Sequence, residues 1–115
     1  MELDALLADR PATVQEIARR LVAIARELIP DPVETCDGGD YGIGVGPGYK
    51  GLVFVVTPQA AGVRLGIAGG AALDDPDGLM QGRGAVHRHV KLASPEEATD
   101  PALRELMERA AAARR

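Results

Sequence analysis

The sequence predicts an α+β fold in which an antiparallel sheet of about five strands carries an N-terminal and a C-terminal helix on one face. The clearest observation is a hairpin. Residues 52–57 are rich in β-branched side chains, and Pro58 and Gly62 separate them from the alternating run 63–67. The second observation is the order of elements, because no helix stands between the strands to serve as a parallel crossover. We therefore place the hairpin at the centre of the sheet.

Size and charge limit the class of protein. The chain has 115 residues and a formal net charge of −4, which predicts one domain over residues 1–115. The pI near 5.1 argues against nucleic acid as a partner, because phosphate binding needs a basic surface. No apolar run approaches the roughly 20 residues that cross a bilayer, so no membrane partner is expected. The single cysteine, Cys36, favours a cytoplasmic location.

The N-terminal region predicts a short helix and then a long one. A short first helix is expected before Pro11, where three leucines recur. Thr13 and Glu16 form the T-x-x-E pattern of a capping box, which predicts the start of the main helix. Behind it, apolar residues recur at helical spacing. They are Val14, Ile17, Leu21, Ile24 and Leu28. Pro30 ends the pattern.

Three further strands are expected around the hairpin. Val33–Asp37 is a short strand, and the Asp and Gly residues 37–40 form a turn. Residues 41–45 alternate apolar side chains with glycine and predict a second strand. A loop with one helical turn follows the hairpin over residues 71–82. Residues 86–92 predict the fifth strand.

The C-terminal helix has two start signals. Ser94 and Glu97 form a second capping-box pattern. Asp100 followed by Pro101 is typical of an N-cap and a first helical position. The predicted apolar stripe consists of Leu103, Leu106, Met107 and Ala110.

Motifs spread from residue 34 to residue 103 carry a family resemblance. They are Glu34-Thr35 with Asp37-Gly38, Val63-Arg64-Leu65-Gly66, Gly70-Ala71, Leu73-Asp74-Asp75-Pro76, Gly78-Leu79, Gly82-x-Gly84, Arg88-His89-Val90-Lys91-Leu92 and Asp100-Pro101-x-Leu103. On these residues the chain resembles the DUF1801 family, also called YdhG-like, whose function is unknown. The resemblance implies helices packed on one face of an antiparallel sheet. A bacterial relative is described as a frataxin-like iron chaperone, which implies iron as a candidate cofactor and iron handling as an alternative function.

A glycine motif, G-x-G-x-x-G, spans residues 46–51. A dinucleotide site of this type needs a helix directly after the glycines, so that its N-terminus can hold pyrophosphate. Here a predicted strand follows. The motif is therefore interpreted as a flexible turn.

The metal hypothesis rests on two groups of side chains. His87 and His89 alternate with Arg88 along the fifth strand, and two imidazoles on one strand face can supply two metal ligands. The preceding loop offers carboxylates that could complete such a site. They are Asp74, Asp75 and Asp77. The competing interpretation is a solvated sheet face and a turn held by bonds from Asp to the backbone. The residues themselves require no cofactor.

Arg88 is unusual because its alternation places it among apolar positions of the fifth strand. A guanidinium there must be paired or must lie at an opening. One interpretation is a structural salt bridge to Glu34 or Asp75. The other is an anion-binding arginine at the rim of a pocket, with His89 beside it. The candidate ligand-binding residues are Arg88, His89, Lys91 and Tyr41.

No complete catalytic constellation is visible in the sequence. The single serine, Ser94, is accounted for by the capping pattern. We therefore predict a non-enzymatic binding module that recognises a small ligand, an ion or a protein partner, as a monomer or a homodimer. The alternative from another class is an enzyme that acts on an anionic small molecule through Arg88 and His89.

Overall fold

The computed structural model describes residues 2–114, and over that range the chain forms four α-helices and five strands. The helices are α1 (Glu2–Leu7), α2 (Ala12–Leu28), α3 (Gly48–Gly51) and α4 (Pro101–Arg114). The strands are β1 (Val33–Asp37), β2 (Asp40–Gly44), β3 (Leu52–Pro58), β4 (Val63–Ile67) and β5 (Arg88–Leu92). Single 3₁₀ turns occur at Gly70–Ala72 and Glu97–Thr99.

The five strands form one antiparallel sheet in the order β1-β2-β3-β4-β5, so each strand pairs with its neighbour in sequence. Helices α2 and α4 pack on one face of this sheet and against each other. The predicted α+β class, the five strands and the central hairpin are confirmed. None of the described helices combines the length and the apolar character needed to cross a bilayer.

The core lies between the helices and alternate side chains of the strands. Phe54 pairs across the strands with Ile67, and Val56 pairs with Leu65. All four are buried, together with the apolar stripes of α2 and α4. Each such side chain contributes roughly 1.5–3 kcal/mol when fully buried. The period of two along each strand leaves the intervening side chains on the opposite face.

Helix α2 does not begin with the predicted capping box. Pro11 occupies the N-cap position with extended backbone angles (φ −55°, ψ 149°), and no side chain caps the helix. Thr13 therefore lies inside the first turn, so the T-x-x-E prediction is wrong. The side-chain amide of Gln15 instead donates to the carbonyl of Arg10 at 2.9 Å. Proline suits this place because it has no N–H to satisfy.

Of the two start signals predicted for the C-terminal helix, Asp100-Pro101 is confirmed, whereas the Ser94-Glu97 pattern lies at the separate 3₁₀ turn that precedes the helix. The Oδ1 atom of Asp100 accepts the backbone N–H of Ala102 at 2.9 Å. The hydroxyl of Ser94 accepts the N–H of Glu97 at 3.4 Å, and the Glu97 carboxylate accepts the N–H of Ala93 at 3.0 Å. These bonds satisfy backbone donors that a helix start leaves free.

Two segments differ from the predictions. β5 begins at Arg88, not at residue 86, because its partner β4 ends at Ile67, which pairs with Arg88. The glycine motif forms the single helical turn α3 rather than a β-turn. Glycine is required at its end, since a Cβ on Gly51 would overlap the backbone carbonyl of Gly46.

A hydrogen-bonded cluster joins α2 to the first two strands. The guanidinium of Arg26 donates twice to Glu34, at 2.9 and 2.7 Å, and the Tyr41 hydroxyl donates to Glu34 at 2.5 Å. These bonds, with that from Arg26 foremost, lower the pKa of Glu34. Burial and the neighbouring Glu34 carboxylate raise the pKa of Tyr41 to about 12. The cluster fixes β1 and β2 against the helical layer.

We expect Tyr41→Phe to lower the free energy of unfolding by about 1–2 kcal/mol, because the buried bond to a carboxylate is lost. The matched control is Tyr49→Phe, since the Tyr49 side chain is 88% exposed. Urea unfolding at pH 7 measures both. Because folding raises the Tyr41 pKa, its contribution should be complete below pH 10 and should disappear as the pH rises toward about 12. Equal effects of the two substitutions would contradict this role.

Candidate functional site

The sheet face turned away from α2 and α4 is not covered by any element of the described chain. We call it the open face. Its side chains alternate with those of the core, so their positions follow from the strand register. The residues of this face are Val33, Thr35, Asp37, Asp40, Gly42, Leu52, Val55, Thr57, Arg64, Gly66, His89 and Lys91.

The open face carries a row of polar side chains, one from each strand. Asp37 pairs with Asp40, Thr57 pairs with Arg64, and Arg64 pairs with Lys91. The Thr57 hydroxyl closes the row by donating to the Asp40 carboxylate at 2.6 Å. The row thus begins with two acids and ends with two bases. Like charges directly opposite on neighbouring strands are destabilising, so both ends oppose folding in the free protein.

The adjacent row forms a low floor. It runs through Thr35, Gly42, Val55, Gly66 and His89, each paired with the next. Of the two glycines in this row only Gly66 leaves a hollow beside Val55, because the side chains of Leu52 and Thr35 lie over Gly42. A Cβ on Gly42 would lie 2.8 Å from the Leu52 side chain, whereas a Cβ on Gly66 would meet only Val55, at 3.4 Å. The hollow at Gly66 can therefore be filled by a larger residue without forcing the backbone apart.

Two shallow cavities lie over this floor. The larger has a volume of about 500 Å³ and lies over β3, β4 and β5. The smaller, of about 290 Å³, lies over β1, β2 and β3. They share four lining residues, which are Asp40, Tyr49, Leu52 and Val55. Volumes of this size are typical of small-molecule sites, and the mixture of an apolar floor with a few polar groups is typical too.

Tyr49 projects from α3 between the two cavities. Its side chain is 88% exposed, which is unusual for an aromatic residue. The preceding Gly48 has a positive φ of 72°, a conformation that glycine adopts without strain. The ring therefore stands at the border of both cavities, where a ligand would cover it.

The basic end of the open face consists of Arg64, Lys91 and His89. Within residues 2–114 neither Arg64 nor Lys91 forms a salt bridge. His89 has a neighbour on both edges, because it lies opposite Gly66 of β4 on one side and exchanges two backbone hydrogen bonds with Gln81 on the other, at 2.6 and 3.0 Å. Burial, and then the positive charges of Arg64 and Lys91, lower the pKa of His89. Both effects favour the neutral form of the imidazole.

Among residues 2–114, Arg88 forms no salt bridge. Its guanidinium donates to the backbone carbonyl of Gly84 at 2.6 Å. Glu34 is occupied by Arg26 and Tyr41, and Asp75 binds backbone N–H groups, so the predicted partners are wrong. Arg88 and His89 line the larger cavity together.

His87 precedes the strand and is fixed by the neighbouring turn. Its Nδ1 atom accepts the backbone N–H of Gly69 at 3.1 Å, so this nitrogen carries the lone pair and is not free to bind a ligand. The side chain also lines the larger cavity. The alternation of the sequence predicts His87, His89 and Lys91 on one strand face, and within β5 this face carries His89 and Lys91.

The structure does not gather the proposed metal ligands. Both carboxylate oxygens of Asp75 accept backbone N–H groups, from Leu79 and Met80, at 2.9 Å each. This confirms the alternative of a turn held by an aspartate. Across residues 2–114 no group of three or more His, Cys, Asp or Glu residues is arranged to hold a metal ion. Asp74 and Asp77 are exposed loop residues, and the iron-chaperone role stays a prediction.

Tyr41 does not join the other candidate ligand-binding residues. Its side chain is 5% exposed and lies on the helix-covered face, bonded to Glu34. His89 and Lys91 lie on the opposite face of the sheet. The structure instead adds Arg64, Asp40 and the Gly66 floor. The alternation of Arg64 and Gly66 with apolar residues is visible in the sequence, but their neighbours across the strands are not.

Comparison with known proteins finds no matching family model, no matching curated protein and no matching solved structure. The resemblance to the DUF1801 family therefore stays a prediction.

We expect Asp75→Ala to lower the free energy of unfolding by about 1–3 kcal/mol, because two backbone donors lose a charged acceptor. Asp77→Ala is the matched control. It lies two residues away, is exposed, and should change stability by less than about 0.5 kcal/mol. Thermal and urea unfolding measure both variants. A null effect of Asp75→Ala would show that its bonds do not hold the loop.

We expect the pKa of His89 to rise in Arg64→Ala and in Lys91→Ala, because each substitution removes a positive charge that opposes protonation. An NMR titration of the ring protons measures this shift, with Arg10→Ala as the control on the helical side. The pKa shift also affects stability. Because folding lowers the pKa of His89, the unfolded chain binds this proton more tightly, and the free energy of unfolding falls as the pH is lowered. An unchanged pKa in both variants would refute the electrostatic coupling.

Proposed function

We propose that the protein is a non-enzymatic binding module that holds a small organic anion in the larger cavity of the open face. The observation that carries this proposal is that Arg64 lines the wall of that cavity and has Lys91 directly opposite it on β5. Two cations in direct opposition cost stability in the free protein. A carboxylate or phosphate between them would turn that repulsion into two charge-assisted hydrogen bonds.

The floor of the cavity supports a ligand with an apolar body. Leu52, Val55, Ile67 and Ala68 line it beside the flat surface left by Gly66. Covering these apolar side chains with an apolar ligand is favourable because it removes them from water. A purely inorganic anion would contact only the basic residues at the rim of the cavity. The combination favours an organic anion over free phosphate.

The polar side chains of the cavity support binding more than catalysis. Thr57 is engaged with Asp40, and it lies two strands from His89, which is about 10 Å at the usual strand spacing. A nucleophile and its base must lie within hydrogen-bonding reach. No such pair is formed by these two residues.

An enzyme acting on an anionic substrate is the second candidate. The specific observation in its favour is that Arg88 and His89 line one cavity and that no carboxylate from the described part of the chain is paired with Arg88. A neutral imidazole beside a bound anion could accept a proton from it. Recovery of the ligand unchanged after prolonged incubation would favour the binding module, and conversion that His89→Gln abolishes would favour the enzyme.

We expect benzoate to bind and uncharged benzamide to bind at least tenfold more weakly, because only the anion can use the basic end. NMR titration should place the largest shifts at Gly66 and His89. Arg64→Glu and Lys91→Glu should each weaken benzoate binding about tenfold or more, a loss of about 1.4 kcal/mol. Arg10→Glu makes the same change of charge on the helical side and should have no effect. Equal affinity for benzoate and benzamide would overturn the proposal.

A further inference from the structure

We infer that the ligand of the open face is a zwitterion with the chemistry of a short peptide that has free termini. Its ammonium group would lie at Asp37 and Asp40 and its carboxylate at Arg64 and Lys91, so that the peptide crosses the strands. This inference rests on the function proposed above, and it names the class of ligand. Four observations support it: the sign of the charges, their spacing, the shape of the floor and the position of Tyr49.

The acidic end of the polar row mirrors the basic end. Asp37 and Asp40 are directly opposite each other, as Arg64 and Lys91 are. In the described part of the chain neither aspartate forms a salt bridge. Asp40 accepts one bond, from Thr57, and a carboxylate has room for about four. An ammonium group supplies three donors and a positive charge, which fits the remaining acceptors of this pair.

The spacing of the two ends selects the length of the ligand. Asp40 lies on β2 and Arg64 on β4, with β3 between them. Two strand spacings amount to about 9.6 Å. An extended peptide rises about 3.4 Å per residue, so three residues span about 10 Å. A single amino acid is too short, because its nitrogen and its carboxyl carbon are only about 2.5 Å apart.

The floor fits one side chain of an extended peptide. Gly66 leaves a hollow beside Val55. A tripeptide whose carboxylate lies at Arg64 would place its third side chain at this hollow, while its second side chain points outward. Tyr49 lines both cavities and would lie over the peptide. Its exposed ring then loses contact with water, which is favourable.

A second copy of the chain is the competing occupant. A two-fold axis along β3 would place the acidic pair of one protomer over the basic pair of the other, so charge alone does not decide. The glycines favour the peptide. In such a dimer Gly66 of each copy would face Gly42 of the other, which has no side chain to fill the hollow at Gly66. Unfilled space forfeits the dispersion contacts that a stable interface needs.

The test uses trialanine as the probe, with N-acetyl-trialanine and trialanine amide as matched peptides that lack one terminal charge. NMR titration and calorimetry measure their affinities for the full chain. We expect trialanine to bind at least tenfold tighter than either blocked peptide, and tighter than dialanine or pentaalanine. Asp40→Asn should abolish the preference for the free amine, whereas Arg64→Gln should weaken the free and the acetylated peptides alike.

A glycine variant tests the floor independently of charge. Gly66→Val should reduce trialanine binding at least tenfold, because its side chain fills the hollow while a β-branched residue suits the strand. Gly39→Ala is the matched control, since nothing lies within 4 Å of a Cβ at that turn position. Circular dichroism and unfolding confirm that both variants fold. Undiminished binding by folded Gly66→Val would overturn the placement.

The failures of the inference and of the proposed function are distinguishable. If N-acetyl-trialanine binds as tightly as trialanine, or if benzoate binds and trialanine does not, the zwitterion is overturned and the anion site stands. If neither benzoate nor trialanine binds, the proposed function fails as well. If the protein sediments as a dimer that Arg64→Glu dissociates, the open face belongs to the second copy and both are rejected.

Discussion

The burial of one sheet face under α2 and α4 is the interaction on which the rest of the structure depends. That face buries Phe54, Val56 and Leu65. Because side chains alternate along a strand, the residues between them lie on the opposite face of the sheet. A slip of one residue would exchange the two faces, placing charges in the core. The register that builds the core therefore also builds the open face.

The open face differs from an ordinary solvated face in how its charges are distributed. Solvated faces usually mix the two signs, so that opposite charges pair across strands. Here Asp40 and Arg64 are held apart by a strand, and each has a like charge as its other neighbour. Together with the glycine floor, this arrangement opposes stability and favours a bound ligand. Such local conflicts with folding rules are typical of functional sites.

The sequence correctly indicated the helical layer, the order of elements and the central hairpin, because these follow from local periodicity. It also offered, as the alternative to a salt bridge at Arg88, a pocket bordered by Arg88 and His89. It failed at two places where the pattern allowed more than one local outcome. Helix α2 begins after Pro11 and not at Thr13, and the Tyr41 hydroxyl binds Glu34 under the helices.

What the sequence by itself determined is which residues alternate, since hydrophobic periodicity is a local property of the chain. What only the tertiary structure decided is which of them are neighbours. Arg64 and Lys91 are 27 positions apart in the chain, and the register of β4 and β5 places them directly opposite each other. The length and course of the intervening loop set that register, and no local pattern encodes it. The basic end of the open face is therefore a product of folding.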